Sequence, residues 1–185
     1  MKATPEQLYQ LFSERQSDRS YQERPVPLEV LERIVEHSLL APSATNQQPW
    51  SLVLVHHPQE VQKVADAALS GLYGGVNKFI RKAPAFLLVV AERQSLLARV
   101  GTAFTDTLYT PYDLGILVAH LVLAAEAEGV GSCILGWLNG KALQKQLQIP
   151  NSKKVVMAIA LGYPAGEKRT KKRKPLSQVL HYGKW

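Results

Sequence analysis

Residues 111–137 read PYDLGILVAHLVLAAEAE followed by GVGSCILGW, and this stretch decides the fold. From Pro111 to Glu128 the apolar residues recur at helical spacing and wrap nearly all round, as expected for a central buried helix. Its most apolar part, Leu114 to Ala125, is interrupted by His120 and is too short to span a bilayer. Gly129 suits the C-cap, because glycine adopts the left-handed backbone that ends a helix. Ser132 to Leu135 then reads as a buried strand. A second apolar run, Val155 to Leu161, follows a helix that starts at Asn139 and ends near Leu147.

Working outward, Thr4-Pro5-Glu6-Gln7 opens a first helix: threonine caps it, proline fits its first turn, and Gln7 completes a capping box. Leu8, Leu11 and Phe12 give it an apolar stripe, and the polar residues Arg15 to Arg24 read as a loop. Pro27 starts a second helix with Leu28, Leu31, Ile34, Val35 and Leu39 on one face. Ala41-Pro42 ends it, since proline disfavours helix in the residue before it. Ser43 to Pro49 is loop, Trp50 to Val55 a short strand, and Val61 to Leu69 a helix broken by Gly71, Gly74 and Gly75. Phe86 to Val90 is a further strand, whereas 94–110 follows neither period. No repeat or low-complexity linker divides the chain, so 1–185 is expected to form one domain, an α+β or α/β sandwich around a single sheet.

The 185 residues carry 22 Lys plus Arg against 15 Asp plus Glu, a formal charge of +7. With 46% hydrophobic and 20% charged residues the composition is globular and excludes wholesale disorder. One cysteine, Cys133, excludes an intrachain disulfide framework and a cysteine-built metal cage. The opening MKATPEQLYQ has no apolar leader core, so a cytoplasmic protein with no membrane partner is expected. Most of the charge excess lies in Glu167–Lys174 (EKRTKKRK), which holds six bases and one acid. That run reads as a solvated segment, a phosphate-binding segment or a nucleic-acid tail, and composition does not choose.

Hydrolytic chemistry finds no support. No GxSxG elbow surrounds Ser43, and His37, His56, His57, His120 and His181 follow no ligand spacing. His120 reads as a hydrogen-bonded core residue and Cys133 as packing. With neither a Walker loop nor GxGxxG, an enzyme of this sequence leaves the reaction to a cofactor. Three polar clusters suit an anionic, hydrogen-bonding ligand. In Arg15-Gln16-Ser17-Asp18-Arg19, alternate residues of an extended segment share a face, so Arg15, Ser17 and Arg19 can converge on one oxyanion; a solvated loop explains the cluster equally well. Pro42 to Trp50 (PSATNQQPW) combines small residues with amides between two prolines, which favours a rigid shape. The basic run is the third.

Four motifs in this order resemble the nitroreductase family of FMN-dependent oxidoreductases, from about Tyr9 to Leu180. They are Arg15-x-Ser17-x-Arg19, the segment Ala41 to Trp50, the stretch Gly129 to Trp137 after a long apolar helix, and Gly162-Tyr-Pro followed by the bases Lys171 to Lys174. The resemblance implies a mixed central sheet covered by helices and an intertwined homodimer with two FMN sites at its interface. It implies that Arg15, Gln16, Ser17 and Arg19 bind the FMN phosphate and ribityl chain, and that Lys171 and Arg173 close on the phosphate. Leu135, Gly136 and Trp137 fall near the reactive face, Asn77 at the ring edge, and Pro42, Ser43, Ala44 and Asn46 reach the flavin from the partner chain. An aromatic tail carrying Tyr182 and Trp185 fits a docked terminus better than a free one.

The implied reaction is ping-pong: NAD(P)H gives hydride to flavin N5, and a nitroaromatic, quinone or similar electrophile then takes it, with no catalytic side chain and no metal. Two positions depart from relatives: Gln16 stands where many carry a second Arg, and Leu135 where some carry a carboxylate. One alternative is a specialised flavoprotein without general NAD(P)H turnover. The other is a basic-tail nucleic-acid-binding module, which the lack of interleaved aromatics in the run disfavours.

Overall fold

The computed structural model describes residues 2–92 and 108–185, so 94–107 of the aperiodic stretch lies outside the described residues. The helices are α1 (Pro5–Glu14), α2 (Leu28–Ser38), α3 (Pro58–Ala68), α4 (Thr110–Ala127) and α5 (Gly140–Gln146). The strands are β1 (Trp50–Val55), β2 (Ala85–Ala91), β3 (Gly131–Leu135) and β4 (Lys154–Gly162), in the order β1-β2-β4-β3. Among the described residues, every strand pair is antiparallel. The mixed character expected of the sheet is confined, among the described residues, to one parallel bridge between Ser17 and Ser132.

The central strands read as continuous apolar runs because helices cover both of their faces. Successive side chains of a strand point to opposite sides. Leu87 and Val89 of β2 therefore meet Leu31, Ile34, Leu117 and Leu121 of α2 and α4. Phe86, Leu88 and Val90 meet Val64, Ala68 and Leu143 of α3 and α5. Both caps read from sequence are formed: Gln7 N–H donates to Thr4 Oγ1 at 3.3 Å and Thr4 N–H to Gln7 Oε1 at 2.9 Å. Asn139 Oδ1 accepts from Ala142 N–H at 3.1 Å at the start of α5.

Two expectations change. α4 is not buried all round: Leu114, Leu117 and Leu121 face the core, while Tyr112, Gly115, Ile116 and Ala119 are exposed. The sheet and α2 reach only one side of the cylinder. His120 lies on its margin, half-buried, with Nδ1 2.9 Å from the Ile116 carbonyl, and is not a core residue. On its own chain the tail leaves Tyr182 and Trp185 exposed, with Trp185 stacked on His181. Among the described residues, no helix is long and apolar enough to cross a membrane.

Candidate functional site

α1 ends where Arg15 leaves helical geometry, and the chain continues extended along the start of β3. Asp18 N–H donates to the Ser132 carbonyl at 2.9 Å and Ala165 N–H to the Ser20 carbonyl at 3.0 Å, so the polar "loop" is an added edge of the sheet. Extended geometry sorts its side chains by parity. Gln16 and Asp18 are buried while Arg15, Ser17 and Arg19 are more accessible, and Gln16 joins those three in lining one cavity; Tyr21, buried, ends the alternation. Tyr21 locks the segment by donating to the Asp18 carbonyl at 2.8 Å; burial raises its pKa far above the ordinary phenol value.

The basic run closes this cavity from the other end of the chain. The cavity is an open cleft of about 320 Å³, and its lining carries the cations Arg15, Arg19, Arg169, Lys171, Lys172 and Arg173 with no acid among them. Burial, followed by the neighbouring Arg15 and Arg173 charges, pulls the Lys171 ammonium below the usual lysine range. Like charges held close together disfavour the charged form of each. The run is tied down at the carbonyl end of α1, the negative pole of the helix. Lys171 Nζ donates to the Phe12 carbonyl at 2.6 Å and to that of Ser13. Lys168 donates to the Glu14 carbonyl at 3.0 Å and pairs with Glu126.

At the far end of β3 lies the turn Leu135-Gly136-Trp137. Ser132 to Gly136 is four residues, roughly 13 Å at the ~3.3 Å rise of a strand. Asn77, left-handed at φ 55°, donates from Nδ2 to the Trp137 carbonyl at 3.3 Å, so this distant residue and the turn come together. Leu135 is buried, which leaves only its backbone available there. A larger cavity, about 1260 Å³, opens between α5 and the start of β4 and borders the turn at Gly136. Cys133, buried within β3, keeps its proton, because burial raises the thiol's pKa.

The Pro42–Trp50 loop is held rigidly but does not line the cation cavity. Asp113 of α4 accepts from Ala44 N–H at 2.9 Å, and Ser43 Oγ accepts from Gln48 N–H at 2.9 Å. Thr45, Asn46 and Gln48 all adopt positive φ, at 50°, 55° and 46°. Pro42 and Asn46 face solvent, with Ser43 and Ala44 half-buried.

The sequence model of the nitroreductase family matches residues 12–163, most of the chain. The chain belongs to the nitroreductase family. It is similar to the NADH dehydrogenase of Thermus thermophilus, 29% identical over 192 residues that span 90% of this chain and 91% of that one. It is also similar to the FMN reductase (NAD(P)H) of Bacillus subtilis, 27% identical over 92% of this chain and 71% of that one. A nitroreductase family protein of Streptococcus pneumoniae has the same fold, with TM-score 0.80 over 95% of this chain and 99% of that one at 21% identity.

In this nitroreductase-family chain the structure therefore brings together Arg15, Gln16, Ser17, Arg19, Lys171 and Arg173, and separately Asn77 with Leu135, Gly136 and Trp137. Pro42, Ser43, Ala44 and Asn46 belong to neither group. Sequence reasoning missed Arg169, which lines the cavity and donates from Nη2 to the Ser17 carbonyl. It also missed Asp18 behind the cluster. The inward parity of positions 16 and 18 was the available signal for the latter; nothing local marked Arg169 among six bases.

Proposed function

We propose that this chain seats the phosphate of FMN in the cation cavity and reduces small electrophilic acceptors, such as nitroaromatics or quinones, in two half-reactions at one place. Family membership makes it an oxidoreductase that works with FMN and NAD(P)H; the acceptor class, the ping-pong order, the residue roles and the dimer belong to the reading advanced here. One observation carries it: six cations and no acid line one cavity, gathered there from both ends of the chain. A phosphate dianion fits that donor set, by charge and by the forked donors of arginine.

Arg15, Arg19, Lys171 and Arg173 hold the phosphate, and Ser17 offers a hydroxyl beside them. The backbone of Leu135, Gly136 and Trp137, with Asn77, supplies hydrogen bonds at the ring end, where pre-aimed donors stabilise developing negative charge. FMN held by these residues would supply the hydride-transfer chemistry between NAD(P)H and the acceptor. No side chain of the protein needs to transfer a proton. The cavity beside Gly136 gives nicotinamide and acceptor a shared approach, and an NAD(P)H supply points to a cytoplasmic setting.

A homodimer completes this reading. The exposed apolar residues of α4 (Tyr112, Ile116), of α1 (Leu8, Tyr9, Phe12) and of the tail (Tyr182, Trp185) form surfaces that a second copy would cover. Pro42, Ser43, Ala44 and Asn46 of that copy then meet the flavin. The test is the visible spectrum of the purified protein, followed by turnover of NADH and NADPH with a quinone and a nitroaromatic. Failure to hold or take up FMN refutes the cofactor site, and flavin without turnover refutes the reductase reading. Arg19→Ala combined with Arg173→Ala lowers flavin occupancy.

A further inference from the structure

Gln16 lines the cation cavity, yet its side chain has no bonding capacity left for a ligand. A carboxamide carries two N–H donors and two acceptor lone pairs. Nε2 donates to Asp18 Oδ1 at 2.8 Å and to the Glu167 carbonyl at 3.2 Å. Oε1 accepts from Arg169 N–H at 3.0 Å and from Arg169 Nε at 3.4 Å. The amide orientation follows from these partners: its nitrogen sits between two acceptors and its oxygen between two donors. Gln16 is 8% exposed and Asp18 4%.

Asp18 cannot swing away to release the amide. Its N–H is bonded to Ser132, its carbonyl accepts from Tyr21, and Gly131 packs so close that an added Cβ would lie 2.7 Å from Oδ2. Oδ2 itself has no hydrogen-bond partner among the described residues. A buried carboxylate with one idle oxygen is costly, so the position is explained by what the other oxygen holds.

What it holds is the segment Glu167–Arg173, which is exposed apart from half-buried Lys171 and has no regular secondary structure. With little apolar contact, its attachment is polar: the Gln16 bonds, the Arg169 bond to Ser17, and the lysine bonds to the end of α1. We propose that Gln16, oriented by Asp18, is a positioning residue that clasps Glu167 and Arg169 and so presents Arg169, Lys171 and Arg173 to the anion, with Arg169 a further cofactor-binding cation. The proposal rests on the phosphate-site reading above, and it explains how a neutral residue can stand at a cation-rich site without touching the ligand.

The test is a titration of folded apoprotein with FMN and, separately, with riboflavin, which lacks the phosphate. The variants are Gln16→Met, which keeps the volume and removes both polar ends, Arg169→Ala, Arg169→Ala/Lys171→Ala/Arg173→Ala, and the quadruple variant adding Gln16→Met. Gln16→Met and Arg169→Ala each weaken FMN about tenfold and leave riboflavin unchanged. On the Arg169→Ala/Lys171→Ala/Arg173→Ala background, Gln16→Met adds no more than about twofold, since its effect passes through those three cations. An equal loss on both backgrounds makes Gln16 a direct ligand and overturns the proposal, as does wild-type affinity in either single variant.

A second readout needs no flavin. Trypsin cuts folded apo Gln16→Met within 168–174 faster than wild type, with circular dichroism confirming that the remainder is intact; equal rates overturn the clasp. If wild-type apoprotein fails to take up FMN, the phosphate-site reading falls while the trypsin result still decides the clasp. Gln16→Ala serves in both assays should the methionine variant not fold.

Discussion

Gly131→Ala tests whether the segment behind the cation cavity is as rigid as its hydrogen bonds indicate. Gly131 is the first residue of β3 and pairs with Gly162. An alanine Cβ there would stand 2.7 Å from Asp18 Oδ2, 3.0 Å from its Cγ and 3.2 Å from its Cβ. Ordinary contact begins near 3.4 Å, so the two must part by about 0.7 Å. Asp18 is held through its N–H, its carbonyl and Oδ1, so strand and segment have to separate together. Overpacking of this kind costs about 1–3 kcal/mol. For a chain of this size ~2 kcal/mol lowers Tm by roughly 4–8 °C. Gly75→Ala is the control: its Cβ meets nothing within 4 Å, and the stiffer unfolded chain makes it neutral or stabilising by up to about 1 kcal/mol. Thermal unfolding of the apoproteins reads the difference. A Gly131→Ala melting point within ~1 °C of wild type shows that Asp18 yields freely, and the argument for a rigid support fails.

Tyr21→Phe deletes the hydroxyl that donates to Asp18 and reaches the Ala160 carbonyl at 3.4 Å, leaving buried acceptors short. Urea unfolding should show a loss of about 1–2 kcal/mol, and an unchanged midpoint counts against the bond. Glu92 is held below the usual carboxylate range by the Lys153 ammonium and then by the Ser51 hydroxyl. Its folded pKa lies under the unfolded one, so its contribution is complete above about pH 4.3 and disappears as pH falls through the folded value. The stability advantage of wild type over Glu92→Gln therefore shrinks below that pH; parallel stability curves refute it. Deleting 179–185 removes Val179, Leu180, Tyr182 and Trp185, all exposed, and should weaken self-association in sedimentation while leaving the fold intact. Undiminished assembly would take the tail out of the interface.

Local rules carried the elements well where the signal is local. The Thr4 box, the proline before α2 and the Asn139 cap all act within four residues, and the apolar runs of β1, β2 and β4 match strands covered on both faces. The same rules misjudged α4, because apolar character all round a helix says that it is covered, not that its own chain covers it. Polarity likewise hid Gln16 and Asp18, whose burial depends on an edge pairing with Ser132 more than a hundred residues away. The convergence of Arg15, Ser17 and Arg19 was legible from period two alone. The choice of Arg169 and Lys168 as anchors was not, since it depends on where α1 ends relative to a segment about 150 residues later.

The loop after α2 carries three left-handed non-glycine residues within four positions, one of them the β-branched Thr45. Each costs about 1–2 kcal/mol of backbone conformational energy. The Asp113 and Ser43 bonds hold that conformation on the free chain. Its shape is therefore settled at folding, and a surface that meets it has no ordering entropy left to lose on its account. Association at this loop should be governed by fit and desolvation rather than by induced rearrangement. Because Asp113 belongs to α4, any shift of that helix would carry the loop with it.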